Sequence, residues 1–138
     1  MIIVSACLAG IYCRWDGGSN PCKQVIEMVE KGIAIPVCPE QLGGLSTPRI
    51  PCEQIGNRVF SQEGIDVTHN FEKGANEALR IAQMIKCNKA ILKANSPSCG
   101  SGMIYDGTFS GKLIPGDGIF VKLLKKYNIF VLSENDII

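Results

Sequence analysis

Four short apolar runs, IIVSA (2–6), IAIPVC (33–38), AILKA (90–94) and IFVLS (129–133), recur along the chain with one helical pattern in each interval. Runs of this length, rich in β-branched residues, read as buried strands. The first helical pattern follows Ser19-Asn20-Pro21, a cap and a first-turn proline, and aligns Cys22, Val25, Ile26 and Val29 on one face. The second, over 70–87, places Phe71, Ala75, Ala78, Leu79, Ala82 and Ile85 on one stripe. The third opens at Asp117 and sets Phe120, Leu123, Leu124 and Tyr127 at helical spacing. Strand–helix alternation requires a parallel sheet with right-handed crossovers. The expected fold is therefore an α/β, Rossmann-like three-layer sandwich with a mainly parallel central sheet, a single domain over residues 1–138.

The joins between these elements are lopsided. Helix-to-strand joins are minimal: KG (31–32), CN (87–88) and YN (127–128). Strand-to-helix joins, 7–19, 39–69 and 95–116, are long and rich in Gly, Pro and Ser. Two hairpins are expected within them, NRVFSQEGIDVT (57–68) and MIYDGTFSGKLI (103–114), each with a glycine turn. All elaboration thus gathers at the carboxyl ends of the strands, where open α/β sheets bind their ligands.

Composition narrows the ligand class. A formal charge of +1 with dispersed Lys and Arg gives no electrostatic footprint for nucleic acid or an anionic membrane. One Trp and 7% aromatics provide no stacking surface for single strands. No run reaches the ~18 apolar residues of a membrane span, and MIIVSACLAG lacks the basic start of a secretory signal. The expected setting is the cytoplasm, where an odd count of seven cysteines argues for reduced thiols rather than a disulfide scaffold. With His69 as the sole histidine, any metal site must be built mostly of thiolates. Thiolates favour iron–sulfur clusters, zinc or Cu(I).

Five of the seven cysteines map to the ligand face: Cys7 and Cys13 in the first long loop, Cys38 and Cys52 around the second strand end, and Cys99 after the third. Cys22 and Cys87 fall where a small core hydrophobe would serve. Gly and polar neighbours single out Cys7, Cys13 and Cys99 as open-loop thiols with a shared task. Their spacing matches neither a zinc knuckle nor a ferredoxin string. VCPEQLGG places Glu40 just past a strand end, as general base, metal ligand or cap charge. Ser96 and Ser98 flank Pro97, and either bind a ligand or hold the turn. Arg14, Asp16, Thr108 and Ser110 are weaker polar candidates, and Trp15 and Phe109 either belong to the core or offer a face to a ligand.

Together SACLAGIYCRWDGG, PVCPEQLGGLSTPR, ILKANSPSCGSGMIYDGTFSG and PGDGIF resemble the thiouracil desulfurase-like family, over essentially the whole chain. The resemblance implies a [4Fe–4S] cluster held by three cysteines, carried here onto Cys7, Cys13 and Cys99 with Cys38 as alternate ligand. It implies an open fourth iron for the thiocarbonyl sulfur of a small thiolated substrate, which water replaces at carbon without redox change. It also implies Glu40 as the acid–base carboxylate and Ser96 as the active-site hydroxyl. A non-enzymatic sulfide or iron–sulfur carrier would use the same cysteines. A cluster-free thiol enzyme would need Cys99 as nucleophile and His69 as its base.

Overall fold

The computed structural model describes residues 1–138. Its centre is a four-stranded, wholly parallel sheet of β1 (Ile2–Ser5), β2 (Ala34–Val37), β5 (Lys89–Leu92) and β8 (Phe130–Ser133), in the order β2-β1-β5-β8. Side chains alternate across the sheet with the period of two that an extended chain imposes. Ile3, Ala90, Leu92 and Val131 face helices α3 (Thr68–Met84) and α4 (Ile119–Lys126), while Val4, Ile91 and Leu132 face α1 (Lys23–Glu30). Two apolar layers thus enclose the sheet, giving the expected three-layer sandwich.

The strand order decides where the site lies. From β1 the chain passes to β2 on one side, then crosses back to β5 on the other. The carboxyl ends of β1 and β5 therefore diverge into a crevice, the topological switch point at which α/β sheets take ligands. The Ser5 hydroxyl accepts the Lys93 amide at 2.9 Å across that point.

Two antiparallel ribbons lie over the same end. The pair β6 (Met103–Tyr105) and β7 (Leu113–Pro115) forms the expected second hairpin. The first differs from expectation. Arg58–Ser61 (β4) pairs backwards with β3 (Cys52–Ile55), and the segment 62–68 returns only as an isolated bridge between Phe60 and Asp66. The Gly56 turn, at φ +60°, closes this ribbon, whereas the Gly64 turn closes only the bridge. Buried Gln54 explains the choice: on β3 its amide donates to the Pro97 and Asp117 carbonyls, stitching the ribbon to the Cys99 loop.

The first helix also starts later than Pro21. Residues after β1 wind into a 3-10 turn, Ala6–Ala9, and the Asn20 and Cys22 amides donate to the Cys7 and Leu8 carbonyls of that turn. Backbone committed there cannot open a helix, so α1 begins at Lys23 with Cys22 as its half-buried cap residue. Cys87 is buried as expected, its thiol donating to the Lys89 carbonyl at 2.9 Å.

Candidate active site at the switch point

A one-turn helix not anticipated from the sequence, α2 (Pro39–Leu42), follows β2 directly and carries Glu40. Its proline occupies the first turn, where a missing N–H costs nothing. The helix rests on α3 at glycines: the Gly74 Cα faces the Pro39 carbonyl and the Gly43 Cα faces the Asn70 carbonyl, with no room for a Cβ at either contact. The Asn70 side-chain amide donates to the Gly43 carbonyl at 2.9 Å and closes the junction. Glu40 is thereby placed from beneath by backbone-to-backbone packing.

Above it lies a cavity of about 450 Å³ whose wall includes Cys7, Cys13, Cys38, Cys52 and Cys99. The five cysteines expected on the ligand face are thus brought together, and Glu40, Ser96 and Ser98 share the wall with them. The expectation of open-loop thiols is corrected by burial: Cys13 is 2% exposed and Cys99 4%. Cys99 sits in a loop by sequence, yet α4 presses on that loop. The Phe120 amide donates to the Ser98 carbonyl at 3.0 Å, and Gly118 lies so close to that carbonyl that any Cβ would collide. The second glycine of PGDGIF thus seals Cys99 against the core.

The thiols perturb one another. Cys13 bonds to both Cys38 and Cys7, and these bonds, with burial, push its own thiol upward. The same bond from Cys13 draws Cys7 below the usual thiol value, helped by Asn20 and opposed by burial. Cys38 is lowered to about 7, again chiefly by Cys13, with the Gln41 backbone N–H adding to the effect against burial. Burial raises Cys99 to about 12, and burial with the Glu40 charge raises Cys52 to about 11. No three His, Cys, Asp or Glu side chains converge tightly enough to chelate a single ion. Thiols spread around a cavity suit a polynuclear group, which takes one thiolate per metal atom.

The carboxylate belongs to a directional hydrogen-bond chain. Ser96 Oγ accepts the Ser98 and Cys99 amides at 3.1 and 3.0 Å, which leaves its own O–H for Ser98 Oγ at 3.0 Å. Ser98 Oγ donates in turn to Glu40 Oε2 at 3.1 Å and lies 3.6 Å from the Cys99 sulfur. On the other side Arg49 Nε donates to Glu40 Oε1 at 3.0 Å, and Arg49 Nη2 donates to the Cys13 carbonyl at 2.8 Å. Ser96, singled out by the sequence reading, therefore holds the Cys99 turn, and Ser98 is the hydroxyl that touches the carboxylate.

Other candidates fall apart or into place. His69 is exposed on the first turn of α3, outside the cavity, so the pairing of Cys99 with a histidine base is excluded. Thr108 bonds to Ser110 and donates to Asp106 at a hairpin tip, and neither hydroxyl nor Phe109 reaches the wall. Trp15 and Arg14 do line it, and Asp16 is the carboxylate that grips Arg14.

The chain as a whole has matches among known proteins. A family model described as 2-thiouracil desulfurase covers residues 2–136. The chain belongs to the 2-thiouracil desulfurase family. A relative from Bacillus subtilis (strain 168), the uncharacterized protein YbbK, is 44% identical over 99% of this chain and 97% of its own length. A solved structure titled as the [4Fe-4S]-dependent thiouracil desulfidase TudS superposes with a TM-score of 0.93 at 43% identity, covering 98% of this chain and 91% of that one.

One member of this site, Arg49, carries no local mark in the sequence. Arg49 stands at the end of GLSTPR, far in sequence from any strand end, and only folding returns it to Glu40. The available signal was an arginine placed nine residues beyond a glutamate on the same glycine-rich loop. Ser98 was visible as a turn residue, but its contact with Glu40 spans 58 positions.

Proposed function

We propose that this chain is a desulfurase that removes sulfur from a small thiolated compound of the thiouracil class, using a [4Fe–4S] cluster held by Cys7, Cys13 and Cys99. The observation that carries the reading is that these thiols line one cavity with an ion-paired carboxylate at the switch point of the sheet. The donor set fits the group: soft sulfur ligands from separate loops, two of them buried away from bulk water. Cys38, its thiol turned to the Cys13 carbonyl at 3.9 Å, stands beside the three as the alternate ligand.

When bound, such a cluster supplies an iron without a protein thiolate, a soft Lewis acid suited to thiocarbonyl sulfur. The protein supplies proton handling. Glu40 accepts a proton from the water whose oxygen adds to the thiocarbonyl carbon. The chain Ser96–Ser98–Glu40 holds the carboxylate's second oxygen in a fixed direction. The net exchange converts a thiocarbonyl and one water into a carbonyl and one hydrogen sulfide. No carbon, oxygen or sulfur changes oxidation state, and no external reductant is needed. Trp15 and Tyr105 lie on the same wall and offer faces for a planar ring.

Sulfide release from 2-thiouracil by the anaerobically loaded protein is the test. Wild type turns over, and Glu40→Ala falls by about 10²–10⁴-fold, the range that a positioned acid–base group supplies. Loaded protein without turnover would instead identify a sulfide or iron–sulfur carrier.

A further inference from the structure

Arg49 makes more use of its geometry than an ion pair requires. Its side chain is 7% exposed, and each of its three guanidinium nitrogens is engaged. Nε donates to Glu40 Oε1, Nη2 to the Cys13 carbonyl at 2.8 Å, and Nη1 to the Ser46 carbonyl at 3.1 Å and Thr47 Oγ1 at 2.9 Å. Its own backbone amide donates to the Trp15 carbonyl at 2.7 Å. These partners belong to separate segments: α2, the 7–19 loop that carries Cys13, and the irregular stretch between α2 and β3. None of those segments is rigid alone. A single helical turn is below the length at which a helix sustains itself, and the two loops have no ladder of their own.

We propose that Arg49 is the positioning residue of this site, locking the carboxylate of Glu40 to the Cys13 loop so that base and thiolate wall keep one fixed separation. The inference rests on Glu40 acting as the acid–base residue. Only a planar fork can satisfy Glu40 and the Cys13 carbonyl together, since a lysine ammonium reaches one of them but not both in the same geometry. The cavity lies between the two partners, so a tether across them sets the distance that a bound substrate must match. Gly74 and Gly43 fix α2 against α3 from below, and Arg49 supplies the lateral constraint that this packing leaves free.

The test pairs kinetics on the loaded enzyme with hydrogen exchange on the full chain without metal. Arg49→Met lowers kcat roughly 100-fold, the loss expected from about 1 Å of misplacement. KM stays within about threefold, because an interaction made mainly in the transition state is removed. Arg49→Lys recovers part of the lost kcat. The double variant Arg49→Met/Glu40→Gln is no slower than Glu40→Gln, since Arg49 acts through Glu40. In the metal-free chain, amide exchange in segments 11–18 and 38–45 rises together for Arg49→Met and Arg49→Lys. It stays at the wild-type level for Arg58→Met, a surface ion-pair control.

Full kcat in Arg49→Met overturns the proposal, as does a multiplicative loss in the double variant or unchanged exchange in either segment. If Arg49→Met does not fold, Arg49→Lys carries the same comparison: lowered kcat with raised exchange supports the tether, and wild-type values for both overturn it. Undiminished turnover in Glu40→Gln alone is the separate signature that the acid–base reading has failed. Exchange then still reports whether the tether exists.

Discussion

Gly74→Ala sets two physical effects of opposite sign against each other. In an unconstrained helix interior alanine is favoured over glycine by about 1 kcal/mol, and residue 74 lies in the middle of the long helix α3. Here the new Cβ would overlap the Pro39 carbonyl and stand 3.0 Å from the Gly43 amide nitrogen. Both belong to the junction that supports Glu40. Forcing an extra carbon into a packed contact costs about 1–3 kcal/mol, so the clash outweighs the propensity gain by up to about 2 kcal/mol. For a chain of this length that lowers Tm by up to roughly 7 °C. Relief requires α2 to withdraw by roughly 1 Å, a displacement that costs about 100-fold in rate when it moves a catalytic group. That loss corresponds to about 2.7 kcal/mol of transition-state stabilisation. Thermal unfolding by circular dichroism and sulfide release from 2-thiouracil measure the two effects separately, with iron content expected to stay at the wild-type value. An alanine variant that melts higher than wild type and keeps kcat within about twofold would refute the argument that glycine contacts position Glu40.

Ser98→Ala removes a hydrogen bond to a charged group, worth about 1.5 kcal/mol or more, and should lower kcat about tenfold. An unchanged kcat would show that the hydroxyl chain plays no part. In metal-free protein, iodoacetamide at about pH 7.5 should label Cys38 and Cys7 before Cys52 and Cys99. A thiol lowered to about 7 is largely thiolate above that pH, whereas those raised to about 11 and 12 stay protonated. Peptide mass spectrometry decides it, and early labelling of Cys99 would contradict the assignment. Asn20→Leu removes a hydrogen bond to the Cys7 sulfur. It should lower the cluster's midpoint potential in a dye-mediated redox titration, since donors to ligand sulfur favour the reduced state; an unshifted potential would refute that role.

The sheet was legible because burial on both faces leaves a plain signature. Residues such as Ile3, Ile91 and Val131 make apolar runs too short to be helices, and glycine- or asparagine-marked joins separate them from the helical stripes. The ligand face was legible for the same reason, since loop length alone showed which strand ends carried the elaboration. Burial of the thiols was not. Gly and Ser around Cys99 read as an open loop, because nothing local reveals that Gly118 of a later segment presses upon Ser98. The first hairpin was misplaced because two glycine turns, Gly56 and Gly64, compete for one strand, and the deciding contacts of Gln54 lie 43 and 63 residues away. The tie of Arg49 to Cys13 and that of Ser98 to Glu40 were hidden through the same cause: topology assembles them, at separations of 36 and 58 residues where local pattern carries no information.

Counting metal decides whether Cys7, Cys13 and Cys99 hold a four-iron cluster. Protein reconstituted without oxygen should contain about four irons and four acid-labile sulfides per chain, the cubane composition. Serine at Cys7, Cys13 or Cys99 should abolish that content, while serine at Cys22 or Cys87 should leave it intact. Iron-free wild-type protein, or full iron content in the Cys99→Ser variant, would show that these cysteines hold no such cluster.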